Sequence, residues 1–502
     1  MTTESSQSTS LRSGRLGILG IVFFVVAASA PLVGMTGAVP VAIVAGNGAA
    51  APGAYLAVGL MLLVFSVGYA TMSQKVTNAG AFFAYVGRGL GRNAGVASAF
   101  VSILGYVTIQ LAIYGFFGGL LAGQMQALGM DLPWWAWTAI AWAVVTLLSL
   151  LSVDVGAKVL GVLLIAEMTS LLVTAIAIFV QGGPEGADFG ASFNPSNIFV
   201  GGFAGAAGIA IAFAFASFIG FEATAIYGEE SKDPKRTVPR ATYLAIGVIT
   251  ALFAIVSFAM VTGLGSSKVI DEVVMRSTVE DVPLANPAAV LFSLSDQFVG
   301  PWLTHIMEWL VVSSLFAGLL AFQNATSRYF FAMGRGGILP ASFGRVNTAG
   351  APQRGVILTS VIAILVIAYF AIMGLDPILN LFYWMSAITA IAIIFVEILV
   401  SIAVIAFFRK NEGANLWQGT IAPAIATVGL ALGLYLLMSR FNLLASTAPE
   451  GVDPSLPESA WALNTLGWFL VLSPFIAGAI GYVVAIARKS SENDEITEDI
   501  LS

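Results

Sequence analysis

Hydrophobic residues in this chain come in long blocks, without the alternation of a strand or the two-faced period of a soluble helix. Short polar or glycine- and proline-rich punctuations separate the blocks. A helix rises about 1.5 Å per residue, so about 20 mostly apolar residues are needed to cross the ~30 Å hydrocarbon core of a bilayer. Read by that length, the sequence predicts twelve membrane helices, over 17–46, 53–73, 94–124, 134–152, 156–181, 200–228, 241–264, 300–331, 355–374, 378–407, 418–438 and 463–487. An all-α integral membrane fold follows, because a helix satisfies its own backbone polar groups where there is no water to do so. An even number of spans puts both termini on one side.

Positive charge then chooses that side. With the N-terminus inside, eighteen Lys and Arg fall on the cytoplasmic side, and only Lys268, Arg276 and Arg440 fall outside. A missed or extra span would scramble this division, so it supports the segment assignment as well as cytoplasmic termini. The expected location is the plasma membrane, of the bacterial inner-membrane kind. The first segment imitates a signal peptide, with Arg12 and Arg15 ahead of an apolar run and Ala28-Ser29-Ala30 as a small-residue site. Pro31 directly after it should block cleavage, so the segment is expected to be retained.

Composition narrows the chemistry. Of 502 residues 58% are apolar and 10% charged, far below the roughly 25% charged residues of soluble domains. Cysteine is absent and His305 is the single histidine, which removes disulfides, thiolate nucleophiles, thiolate metal sites and histidine triads. No cofactor motif and no basic face for nucleic acid is present. The polar ends, 1–14 and the acidic 490–502, are expected to be disordered tails.

Two segments are poor helices. The first carries Ser29-Ala30-Pro31-Leu32-Val33-Gly34-Met35-Thr36-Gly37-Ala38-Val39-Pro40, with two prolines and two glycines in twelve residues. The sixth has its weak point at Ser217-Phe218-Ile219-Gly220-Phe221-Glu222, with an ionisable group at mid-span. A charge there costs about 2.5–3.5 kcal/mol on insertion scales, so such a residue marks a functional site by default. The two weak points lie five helices apart, as in a five-helix unit used twice with the second copy inverted, and paired interruptions of this kind point to a ligand site at the bilayer midplane. Half-helix N-termini attract a carboxylate, and unwound carbonyls accept from an ammonium. The plainer alternative is a pair of proline kinks.

The stretch from Gly220-Phe221-Glu222 through Glu229-Glu230-Ser231-Lys232-Asp233-Pro234-Lys235-Arg236 to Pro239-Arg240 resembles the sixth segment of the amino acid–polyamine–organocation (APC) superfamily. Thr77-Asn78-Ala79-Gly80-Ala81 with Tyr85 and Arg88 resembles that superfamily's entry to its third helix. Asn324 to Arg328 with Ala332 to Pro340 resembles the run that closes its eighth. The resemblance covers roughly 15–410. It implies a leucine-transporter-type 5+5 inverted repeat with broken helices one and six: 15–199 as the first repeat, 200–410 as the second, and 411–489 as two extra helices. It also implies alternating-access uptake or exchange of amino acids, polyamines or related amines.

On that resemblance the substrate-binding residues are Ala30, Val33, Gly34, Met35, Thr36, Gly37, Ser217, Phe218, Ile219 and Gly220. Gly34-Met35-Thr36-Gly37 replaces the G-S-G frequent in relatives, and Met35 would crowd a carboxylate there. Glu167 stands where many relatives carry a lysine. Glu167 and Glu222 are therefore the expected proton-coupling groups, with Glu222 alternatively a counter-charge for an amine or a hydrogen-bonded hinge. Glu308 reads as an interfacial group and Glu397 stays open. Ser313 and Ser314 with carbonyls of the first segment form a second candidate, a sodium-type cation site, less favoured than a proton. Gly429 and Gly433 are small-residue positions that would suit dimerisation; monomer and homodimer both remain open. Among functions, a carrier of neutral or small amino acids comes first and a cationic amine or polyamine permease second. A substrate sensor or a channel on the same frame is the rival from another class; no nucleophile or catalytic loop supports an enzyme.

Overall fold

The computed structural model describes residues 17–76, 82–152, 157–202, 205–226 and 231–487. The Thr77–Ala81 stretch, Glu229 and Glu230, both tails and the terminal basic residues singled out above lie outside the described residues. Every major element is helical, and among the described residues there is no strand beyond an isolated bridge between Val279 and Val282.

The first apolar run gives α1 (Ile18–Ser29), a second half α2 (31–47), and α3 (Ala51–Ser73). There follow α4 (Phe82–Leu90), α5 (Arg92–Ala127), α6 (Trp134–Leu150) and α7 (Ala157–Gln181). The sixth apolar segment yields α8 (Ala207–Phe218) and the short α9 (Ala223–Ile226), followed by α10 (Pro234–Leu264). The stretch between the seventh and eighth predicted spans contains α11 (Val269–Ser277) and α12 (Ala288–Phe298). The remainder is α13 (Pro301–Arg335), α14 (Gln353–Ile372), α15 (Pro377–Phe408), α16 (Trp417–Ser439) and α17 (Thr465–Ala487).

Among the described residues ten helical runs are long and apolar enough to cross a membrane, the first of them the 56-residue run Ile18–Ser73; Trp134–Leu150 is apolar but shorter. Predicted and observed limits agree closely except in the sixth segment, whose helix begins at Ala207, not near 200, and at α10. It begins at Pro234, not near 241, so Lys235, Arg236 and Arg240 ride its first turns where a basic loop was expected. Proline at the first helical position is already set to helical φ and has no N–H to waste, which starts the helix early.

α5 is the hub, packed against α4, α13, α15 and α17. Close approach comes from glycine. A Cβ on Gly115 would meet the Pro377 carbonyl, and one on Gly105 would sit 2.9 Å from Ile393, both on α15. Between apolar helices small residues of this kind let backbones come together. Gly429 and Gly433 of α16 face Met61 and Phe215 of the same chain, so the surface proposed above for dimerisation is already covered from within.

Four of the helices are also joined by a buried polar network. The Gln110 amide on α5 donates to Gln323 on α13 at 2.6 Å, and Gln323 donates to Val356 O and Ser360 Oγ of α14, both at 3.0 Å. Trp142 and Thr146 of α6 donate to Ser360 as well, at 2.8 and 2.9 Å. Its members satisfy one another, which a dry interior demands.

Candidate functional site

The first apolar segment breaks at one residue. Ala30 has φ 42°, in the left-handed region, and its N–H reaches back only to Ala27 O at 3.2 Å. That geometry costs an L-residue about 1–2 kcal/mol. It is held because Pro31, with no N–H to donate, opens the next half-helix. Gly34–Ala38 forms a wide π turn, and a second, Ala42–Asn47, lies beyond Pro40. Met35 is fully buried in the packing, and Thr36 donates to Leu32 O at 2.7 Å.

The second break lies at 219–222, between α8 and α9. Gly220 has φ 114°, and a Cβ there would stand 2.9 Å from the Ala28 Cβ. Glycine is therefore required twice, by conformation and by the approach of α1. The two broken segments meet at their breaks.

A cavity of about 50 Å³ opens between them. Ala28, Ser29, Ala30, Val33 and Gly34 form one wall and Phe213, Ala216, Ser217 and Ile219 another. Ile109 and Ile113 of α5, Phe322 of α13, and Phe382 and Ser386 of α15 close it. Its polar side chains are three serines, and among the described residues no charged side chain lines it. The hydroxyl of Ser217 donates to Phe213 O at 2.7 Å and lies 3.2 Å from Tyr55 OH.

Of the residues expected to bind substrate, Ala30, Val33, Gly34, Ser217 and Ile219 line this cavity. Met35, Thr36, Gly37, Phe218 and Gly220 do not: Gly37 abuts Phe116 and Phe382, and Phe218 packs edge-on against Phe253 at 5.5 Å. The sequence reading missed Ile109, Ile113, Phe322, Phe382 and Ser386. Apolar residues on continuous helices give no signal that sets a cavity wall apart from ordinary core.

The carboxylates stand outside the cavity. Glu222, fully buried, accepts from the Gly220 N–H at 2.9 Å and from Tyr106 OH at 2.9 Å, while Tyr69 OH donates to its backbone carbonyl at 2.7 Å. These bonds tie α3 and α5 to the second break. Glu167 of α7, also buried, accepts from the N–H of Leu32, at the start of α2, and from Ser314 of α13. A small cavity of about 10 Å³ beside it is lined by Ala27, Leu163, Leu164, Glu167, Ser313, Ser314 and Ala317. Glu167 and the two serines, singled out separately in the sequence, thus share one place behind the first break, where Ser313 donates to its own helix at Leu310 O, 2.8 Å away. Glu308 is partly exposed and lies 3.3 Å from His305. Among the described residues no group of three or more His, Asp or Glu side chains gathers to hold a metal.

The family model described as "Amino acid permease" matches residues 20–493. The chain is 26% identical over 401 residues to the branched-chain amino acid permease BcaP of Lactococcus lactis, covering 75% of this chain and 79% of the relative. It is 24% identical to the histidine permease of Saccharomyces cerevisiae, over 72% of this chain and 61% of that protein. To the putrescine transporter PotE of Haemophilus influenzae it is 23% identical, over 56% of this chain and 60% of the relative.

Proposed function

We propose, from the premise that this chain belongs to the amino acid permease family, that it carries neutral amino acids with apolar side chains by alternating access. The observation that carries the substrate class is the cavity wall: isoleucine, phenylalanine and alanine side chains around three serines, next to two interrupted backbones, with no ionised side chain facing in. An apolar side chain gains by leaving water for such a wall, while backbone at a helix break supplies the polar contacts for the ammonium and carboxylate. A lysine-like or polyamine substrate would leave a charge unpaired there, which is costly. The name of BcaP, a branched-chain amino acid permease, agrees with this reading.

The second reading is a cationic amine carrier, favoured by the putrescine relative and by two buried acids beside the breaks. Those acids face away from the cavity and already accept hydrogen bonds.

The carrier we propose crosses the membrane twelve times. The run Ile18–Ser73 loses helical geometry at Gly46 and far exceeds what one crossing of about 20 residues requires, so it supplies two crossings. Trp134–Leu150, with 17 residues, reaches the lower limit of about 17 for a span. Two breaks facing each other, in the first and sixth of these spans, are what an inverted 5+5 repeat puts at its centre. The plasma membrane and cytoplasmic termini follow from the distribution of Lys and Arg. Glu167 and Glu222 take part in proton coupling, and the Glu167–Ser313–Ser314 cluster is where sodium would bind if it drove transport in place of a proton.

The test is thermal unfolding of the detergent-purified protein against amino acids and amines in parallel, since a ligand of the folded state raises the transition with concentration. Stabilisation by leucine, isoleucine or valine is expected. Stabilisation only by amines without a carboxylate would replace the first reading with the second.

A further inference from the structure

Glu397 lies at mid-helix on α15, is 1% exposed, and its Oε2 has no hydrogen-bond partner. Beside it is a cavity of about 10 Å³, lined by Leu62 of α3, Phe215 of α8, Ile219 and Phe221 of the second break, and Ala390, Ile393 and Ile394 of α15. Apart from the carboxyl, every lining side chain is apolar. A buried water needs roughly 10–15 Å³ and two to four polar partners. This place has barely the first and lacks the second, so it is dry.

A carboxylate in such a place would have its charge unshared, and burial of an ionised group without partners is among the most costly arrangements in a protein. The titratable neighbour that faces it is Glu222, across the break. Around Glu222 stand the phenols of Tyr69 on α3, Tyr106 on α5 and Tyr329 on α13, and none of these carries a compensating positive charge. The two acids have been given opposite surroundings. Glu222 has donors on both oxygens, as a carboxylate requires; Glu397 has an orphan oxygen and apolar walls, as a neutral carboxyl tolerates.

We propose that Glu397 is a proton-binding site, protonated in this conformation and emptied when the second break moves. The coupling is geometric. Ile219 and Phe221 form part of the wall that keeps Glu397 dry, and Ile219 also lines the cavity proposed for the substrate. One residue thus touches both places. A rearrangement of the break that releases substrate also opens the wall over the carboxyl, admits water and lets the proton leave. The chemistry is transfer of one proton from Glu397 to water, with the carboxylate left to be reprotonated as the wall closes.

This proposal rests on the carrier reading for its cycle, and the experiment separates the two. Wild type, Glu397→Gln and Glu167→Gln are reconstituted in vesicles, and leucine counterflow and leucine accumulation under an imposed proton gradient are measured. Infrared spectra of the same purified proteins at neutral pH report the carbonyl band of a protonated, dry carboxyl. The expected result has three parts. The band is present in wild type and in Glu167→Gln but lost in Glu397→Gln; Glu397→Gln retains counterflow; its gradient-driven accumulation falls to the no-gradient level. Accumulation by Glu397→Gln equal to wild type overturns the exchange of the proton and leaves the carrier reading standing. Counterflow in wild type without gradient-driven accumulation does the same. A carboxyl band that survives Glu397→Gln overturns the proposal whatever the transport result. Wild type with no counterflow of any neutral amino acid removes the carrier reading, and the cycle proposed for Glu397 with it.

Discussion

The carboxylate of Glu167 accepts a hydrogen bond from the backbone N–H of Leu32, 135 residues earlier in the chain. Leu32 is in the first turn of α2, where N–H groups point out of the helix end without partners of their own and the dipole favours a negative charge. A side chain from α7 therefore does at the first break what a helix cap does locally. It also brings α7, α13 and the break into one polar cluster with Ser314. Loss of the negative charge on Glu167 weakens that cap, which links protonation there to the position of the broken helix.

That link makes Glu167→Gln and Glu222→Gln informative. Each keeps an acceptor oxygen and removes the titration. If either acid exchanges its proton during transport, the corresponding variant loses uptake driven by a proton gradient and keeps exchange. Unchanged gradient-driven uptake in both would rule the assignment out. Glu167→Leu, which removes the acceptor as well, should also lower the unfolding transition, since a hydrogen bond to a charged group contributes about 1.5–3 kcal/mol.

Gly220→Ala tests the contact of the two breaks. The φ of 114° is strained for any residue with a Cβ, and the new methyl would sit 2.9 Å from that of Ala28. Conformation alone costs about 1–2 kcal/mol, before any repulsion between the segments. The expected outcome is a protein that still reaches the membrane but whose uptake is reduced at least tenfold, roughly the factor that 1.4 kcal/mol represents. Wild-type uptake by this variant would show that the breaks separate freely.

Cavity shape should set selectivity. Ile113→Ala removes an apolar wall that a branched side chain would touch. A methylene gained or lost in an apolar pocket is worth about 1–3 kcal/mol in discrimination, so the preference for leucine over alanine should fall by about tenfold or more. Competition uptake with the two amino acids measures it. An unchanged ratio would mean that substrate binds elsewhere.

The glutamine pair predicts a stability pattern with a sign that packing alone does not give. Gln323→Leu strands the buried amide of Gln110, while Ser360 keeps its bond from Thr146, at about 1–3 kcal/mol for the orphaned group. Gln110→Leu with Gln323→Leu leaves fewer orphans, so the double variant should unfold at a higher temperature than the sum of the single effects implies. Additive losses would argue that the amides are not coupled.

How far the sequence reaches is visible residue by residue. Blocks of apolar residues located the helices to within a few positions because the bilayer demands a fixed length, and Pro31 and Gly220 marked the breaks because proline lacks an N–H and glycine alone accepts φ 114°. Glu167, Glu222, Ser313 and Ser314 stood out because polar groups at bilayer depth are costly. Where α10 starts was misjudged, because hydropathy senses the membrane while a helix continues past it into water.

What no local pattern contains is which side of a helix meets which neighbour. Gly34 and Ile219 line the cavity while Met35 and Phe218 turn into the packing, and Ile109, Ile113, Phe322 and Phe382 reach the site from helices with nothing unusual in their sequence. The pairing of Glu167 with Leu32 and the orphan oxygen of Glu397 are equally products of tertiary contact. The sequence by itself determined a membrane-length helical chain with two weak points and a few buried charges, because length, backbone geometry and desolvation act on each residue where it stands. Only the tertiary structure decided what faces what, because in an interior that is apolar on all sides every helix face is acceptable, and close packing alone selects among them.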